Sequence, residues 1–232
     1  GNRGGSGLLT AGALTFSSGS LFGPGTTTIT GAASFSGSNN QYVDATHTLN
    51  LNGGASWSAG SGTISVGSNA RINVASGTTF VDAGALNPSG NRYLAYSGNG
   101  SFNNAGTYER NGLGTTQAYG FNNSGTLKLN AGTMLMRADS SSSGQIQIAS
   151  GAVLDYSGGN ATISGSVSNA GLLRQSAGNL TLTAAASIDG ALQLDYGNFY
   201  NEGSHSVASL GLAGGNRGGS GLLTAGALTF SS

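Results

Sequence analysis

Cysteine is absent from this 232-residue sequence, which removes disulfides and thiolate metal sites together. Charge is almost as scarce. Eight Lys and Arg balance eight Asp and Glu, and only 7% of residues are charged, against about one-quarter in an ordinary domain. With no basic run to displace counterions from a phosphate backbone, nucleic-acid binding is not expected. No apolar stretch approaches the roughly 18 residues that a membrane-spanning helix requires, so no membrane insertion is expected in this segment. The chain opens on Gly1 without a charged-then-apolar leader, from which a removed signal or an internal fragment is expected.

What is abundant is glycine, 43 residues of it, together with Ser, Thr and Asn. Such a composition raises the prospect of disorder. Disordered chains, however, combine low hydrophobicity with high net charge. Here 37% of residues are hydrophobic, spread along the whole length, and the formal net charge is zero.

One feature of the sequence is exact. Residues 1–18, from Gly1 through Arg3, Leu8, Leu9 and Leu14 to Phe16 and Ser18, recur unchanged as residues 215–232. The offset of 214 residues reads as one complete tandem unit, 1–214, followed by the opening of the next, 215–232. The alternative is an added second copy of a terminal strand that complements a sheet edge. No foreign linker separates Leu212-Ala213-Gly214 from the copy, which favours the tandem array.

Short segments alternating aliphatic and polar residues punctuate the chain. Examples are Thr63-Ile64-Ser65-Val66, Arg71-Ile72-Asn73-Val74, Thr126-Leu127-Lys128-Leu129, Gln145-Ile146-Gln147-Ile148, Asn179-Leu180-Thr181-Leu182 and Ala191-Leu192-Gln193-Leu194. Period-two alternation places the aliphatics on one face of a strand. Helical periodicity is missing: the best run, Leu182 to Ile188, is too short to hold a helix. Asn52-Gly53, Asn99-Gly100 and Asn111-Gly112 are expected to supply positive φ angles at sharp corners. Ile64 to Ile72 suits a step between adjacent faces of a coil, and Leu127 to Ile146 a step to the same face one coil later. Coils of roughly 17–25 residues follow, about ten in the unit, at about 4.8 Å each. The expected fold is therefore all-β, a right-handed parallel β-solenoid with roughly triangular coils. A β-sandwich repeat is the structural alternative.

A local signature reinforces this. It appears as Asn104-Ala105-Gly106-Thr107-Tyr108, Asn123-Ser124-Gly125-Thr126-Leu127 and Asn169-Ala170-Gly171-Leu172-Leu173, with related corners at Ser76-Gly77-Thr78, Ala131-Gly132-Thr133 and Ser150-Gly151-Ala152. At these residues the chain resembles the degenerate β-helical repeats of large secreted bacterial adhesins, the filamentous-haemagglutinin-like and autotransporter-passenger group. The resemblance is closest over residues 100–200. It implies a secreted β-helix at the bacterial cell surface that serves as a stalk or adhesive filament.

Candidate chemistry is sparse. No two acids are adjacent, and no cluster of the kind used by polysaccharide hydrolases appears, so no catalytic residue and no cofactor is expected. Asp82 and Asp155 follow similar segments and are expected to cap equivalent corners. His47 and His205 lack ligands at a metal-site spacing and are expected in solvent or turns. Gly214 to Gly221 lacks the Lys-Ser/Thr of a phosphate loop and reads as a corner or inter-unit linker. Tyr196, Phe199 and Tyr200 are the candidate glycan-stacking residues, and Tyr108, Tyr119 and Phe121 form a looser group. Stacking of rings between coils inside the channel is the competing expectation for the aromatics. Thr26 to Thr30 invites an ice-binding reading that would need Thr-x-Thr at one position in successive coils. The functional expectation is an adhesive or structural extracellular fibre of tandem units, partnered by itself and by surface glycans. A carbohydrate-active or carbohydrate-binding β-helix and an ice-binding solenoid are the alternatives.

Overall fold

In the computed structural model the described residues are 1–58, 60, 62–85, 90–96 and 99–231; Ser232, the last residue of the second copy, lies outside them. The chain winds into a β-solenoid of about 12 turns, with no helix among the described residues. Each full coil contributes three strands. Thr133–Met136 lies on the first face, Ser140–Ser142 on the second and Gln145–Ile148 on the third. The chain then returns to the first face at Val153, which pairs with Thr133. Pairing between coils is parallel and largely in register, as in the run Thr126↔Gln145 to Leu129↔Ile148. Three faces thus enclose one channel, and the packed pair of sheets that a sandwich needs does not form.

Alternation decides what enters the channel. On the third face Leu14, Ala33, Ala55, Phe80, Tyr108, Leu127, Ile146, Val167 and Ile188 stack in one inward column. The residues between them, such as Lys128 and Gln147, face water. Each fully buried Leu, Ile or Phe contributes roughly 1.5–3 kcal/mol. Strands that turn an aliphatic pair inward, such as Thr126–Leu129 and Gln145–Ile148, therefore hold their coils against the neighbours.

Coil length varies, and the channel contents vary with it. Successive partners on the first face are 30 residues apart at Ile64↔Leu94, beyond the expected range, but 19 apart at Leu172↔Ala191 and 18 at Ala191↔Ser209. In the half with the longer coils the channel is filled by rings: Phe80 packs against Phe35 at 5.8 Å, Phe102 at 5.1 Å and Tyr108 at 5.4 Å, and Phe102 stacks on Phe121 at 5.4 Å. Tyr108 and Phe121 are accordingly core residues.

Corners follow two chemical rules. Asn104, Asn123 and Asn169 turn their amides inward, and Nδ2 donates to a backbone carbonyl of the following coil: Thr126 for Asn104, Gln145 for Asn123 and Ala191 for Asn169. Two of these lie between the second and third faces and one between the third and first, so the Asn-Ala/Ser-Gly signature is a portable corner. Between the second and third faces the corner glycines Gly106, Gly125 and Gly144 stack on one another. A Cβ on Gly125 would land on the carbonyl of Gly106, and one on Gly144 on the carbonyl of Gly125. The expected positive φ at Asn52-Gly53, Asn99-Gly100 and Asn111-Gly112 is not found. Glycine is required there because the neighbouring coil passes too close for a side chain, with Gly31, Val66 and Ala83 carbonyls in the way.

Candidate functional site

A groove of about 750 Å³ runs along the corner between the first and second faces. It is walled by corner residues of four successive coils: Gly100, Tyr119, Arg137 with Asp139, and Asn160. Asp139 Oδ1 accepts from the Asn160 backbone N–H at 2.7 Å, which fixes the floor, and Arg137 Nε donates to Gln117 Oε1 at 2.9 Å. Beside the groove runs a row of tyrosines, with ring centroids 5.0 Å apart for Tyr93 and Tyr96 and 5.3 Å for Tyr96 and Tyr119.

A bulge creates this row. Ile64 pairs with Leu94 but Ser65 pairs with Tyr96, so Ala95 is extra, and its φ of 55° lies in the left-handed region. For a buried alanine that conformation costs about 1–2 kcal/mol. In return Tyr96 is turned outward between its two neighbours. Burial raises the pKa of the Tyr119 phenol, so that its hydroxyl stays neutral at ordinary pH. Rings flanked by amides, hydroxyls and one guanidinium suit a sugar chain, whose apolar ring faces stack and whose hydroxyls bond.

The residues expected from sequence to stack on glycans divide. Phe199 is buried in the channel, where strand alternation puts it, and is corrected from surface to core. Tyr196 and Tyr200 are exposed, at a corner and on the second face respectively. No ring contact joins them among the described residues. The tyrosine row was missed because its members are dispersed in sequence and a bulge assembles them.

Asp82 is also relocated. It points into the channel, fully buried, and not into a corner shared with Asp155. Its carboxylate accepts from Arg92 Nη1 at 2.8 Å, Arg110 Nη1 at 3.0 Å, Tyr108 Oη at 2.9 Å, Thr116 Oγ1 at 2.6 Å and the Gly84 N–H at 2.8 Å. The Arg92 guanidinium also lies 3.5 Å from the Trp57 ring centroid. With five donors on its two oxygens, this carboxylate ties the third-face strand of one coil to the strands of the next two. Asp155 belongs to the outer first face, where Arg174 lies 3.7 Å from it and 2.6 Å from Asp195. Burial nevertheless raises the Asp155 pKa, against the hydrogen bonds of Ser176 and the charge of Arg174.

Both histidines are buried, contrary to expectation. His47 Nδ1 lies 3.2 Å from the Gly23 carbonyl and Nε2 3.0 Å from Thr27 Oγ1, which in turn accepts from Arg3. His205 Nδ1 contacts Asn201 Oδ1. Among the described residues no group of three His, Asp or Glu side chains is placed to hold a metal. The Thr26 run yields one outward Thr pair, and the next coils place Thr48 and Asn50 there, then Arg71 and Asn73. That register departs from an ice-binding face. Instead, an asparagine ladder runs up the second face, with Asn73 donating to Asn50, Asn103 to Asn73 and Asn122 to Asn103.

The last coil is the remaining site. Asn216–Gly218 is a strand, not a linker, and Leu223–Phe230 carries the inward residues Leu228 and Phe230, over which no further strand stacks among the described residues. Phe230 is 75% exposed, whereas its counterpart Phe16 is 5% exposed under Phe35. A cavity of about 340 Å³ opens at this mouth, lined by Phe199, Leu210, Arg217 and Leu223 among others.

The fold thus defines an all-β solenoid protein. No protein-family model, no curated protein and no solved structure matches the chain.

Proposed function

We propose that this chain is a length of an extracellular structural fibre, made of tandem 214-residue solenoid units at a bacterial cell surface and serving attachment, cell–cell cohesion or a biofilm matrix. The observation that carries this reading is the position of the second copy of residues 1–18. Residues 215–231 extend the same channel, with Leu223, Ala225, Leu228 and Phe230 inward above His205, Val207, Leu210 and Leu212. A second unit can therefore begin without any break in pairing, and stacking buries each strand edge that would otherwise be left open. The flanks support the same reading. They carry amide ladders, and the chain as a whole has zero formal net charge, so neighbouring fibres lack the self-repulsion that keeps charged proteins apart.

Chains of two, three and four units test it by negative-stain electron microscopy. Continuous rods that lengthen by about 50 Å per unit, ten and a third coils at about 4.8 Å, are expected; strings of separate compact particles would count against the fibre.

The tyrosine row favours a second, compatible reading in which the corner groove binds neutral glycans. Tyr96→Ala and Tyr119→Ala are each expected to weaken oligosaccharide binding about tenfold, at roughly 1–2 kcal/mol per stacked ring. Calorimetry showing no heat with any neutral oligosaccharide would remove that reading and leave the fibre untouched.

A further inference from the structure

The two copies of the repeated segment do not occupy equivalent faces. In the first copy Arg3 lies on the first face, pairing with Leu21. Leu9 lies on the second face opposite Thr27, and Phe16 on the third opposite Phe35. In the second copy Arg217 pairs with Phe199 on the second face, Leu223 with His205 on the third, and Phe230 with Leu212 on the first. Every residue has moved on by one face, while inward residues have stayed inward. Counting strands along the chain, Arg3 opens the first coil and Arg217 stands on the second face of the eleventh, ten and one-third turns later. The 214-residue unit is therefore not a whole number of coils.

The N-terminal end shows what covers such a coil. At the N-terminal end the same sequence is covered by Gly19–Phe22, Thr26–Ile29 and Ala33–Phe35, the segment that follows Ser18. There Arg3 reaches Thr27 and Phe16 meets Phe35 at 6.0 Å. At the other end Arg217 donates to the Gly214 carbonyl beside the open mouth, its one side-chain hydrogen bond among the described residues. Residues equivalent to 19–35 from a second copy supply the partners that Arg217 and Phe230 lack.

We propose that successive units stack through this last coil with a rotation of one face each, about 120°, so that any lateral surface is presented in three directions in turn and returns after three units. This rests on the tandem-fibre reading. Its consequence is that the tyrosine groove winds around the fibre, one groove about every 50 Å, and a three-unit period contains 31 coils. Such a fibre engages partners or sister fibres from every side, whereas an in-phase array would be a ribbon with one adhesive edge.

Two measurements test it. In the 232-residue chain, Ser206→Cys with Thr224→Cys joins outward residues paired on the third face, and oxidation is expected to give an intramolecular disulfide. Tyr200→Cys with Thr224→Cys, which an in-phase copy would bring together on the second face, is expected to stay reduced; the reverse pattern overturns the proposal. In a four-unit chain, a streptavidin tag on Ser168→Cys in every unit is located by electron tomography. Tags on Ser56→Cys and Ser168→Cys of one unit, which share an outward column of the third face, measure the twist along a single face. Beyond that twist, successive tags are expected at three azimuths, the fourth aligned with the first. Rods whose tags follow one side overturn this proposal alone, while separate compact particles overturn the fibre reading and this proposal with it.

Discussion

Single side chains show how a chain with so few charges uses the ones it has. Asp82 is the hub of the wide coils, and two guanidinium groups depend on it in a channel without water access. Asp82→Ala leaves both cations buried and unpaired, and a loss of about 3–5 kcal/mol is expected in denaturant titrations. His47 makes a different contribution. Burial lowers its pKa, the Arg3 charge acts in the same direction, and the hydrogen bond to Gly23 only partly opposes them. The folded state therefore holds His47 neutral while the unfolded chain takes up a proton at about pH 6.5. Stability is present in full above that value and declines as the pH falls through it. The midpoint of urea unfolding is expected to drop between pH 7 and 5, and His47→Gln to flatten that portion of the profile. An unchanged slope in the variant would mean that another group titrates there.

At the scale of strands and corners, the coil is held by repeated contacts of one kind, each made to the coil before and after. The glycine stack is the least tolerant of these. Gly125→Ala drives a Cβ into the Gly106 carbonyl with backbone on both sides, and a loss of about 2–4 kcal/mol is expected. The ladders tolerate more. Asn103→Ala removes its bonds to Asn73 and Asn122, at about 0.5–1.5 kcal/mol each. Thermal melts of the two variants separate the steric rule from the polar one. Strand positions and facing were legible in the alternation itself, as the pairing of Leu127 with Ile146 illustrates. The corner rule was legible as a recurring Asn-Ala/Ser-Gly string, but its cause was not. Sequence suggests torsional demand at a glycine, whereas the demand at these corners comes from the adjacent coil.

For the molecule as a whole, identical sequence acquires different meaning at its two ends. Phe16→Ala empties a covered position of the channel and is expected to destabilise by about 3 kcal/mol. Phe230→Ala alters a ring with no coil above it and is expected to change stability by less than about 0.5 kcal/mol. In a two-unit chain, where the next coil covers the equivalent of Phe230, the second substitution should become as damaging as the first. Equal effects in the 232-residue chain would show that the last coil is already covered.

The division between sequence and structure follows from the range of the interactions. Alternation, glycine punctuation and the recurrence of residues 1–18 at 215–232 are local or self-referential patterns, so they sufficed to specify an all-β solenoid and the inward residues of most strands. Three matters depended on contacts between residues a coil or more apart, which no local pattern encodes. These are the burial of Asp82 among two arginines, the assembly of Tyr93, Tyr96 and Tyr119 by a bulge at Ala95, and the placement of the second copy one face further round. The last was decided by the summed lengths of some ten unequal coils, a sum that is fixed only when every corner has been placed in space.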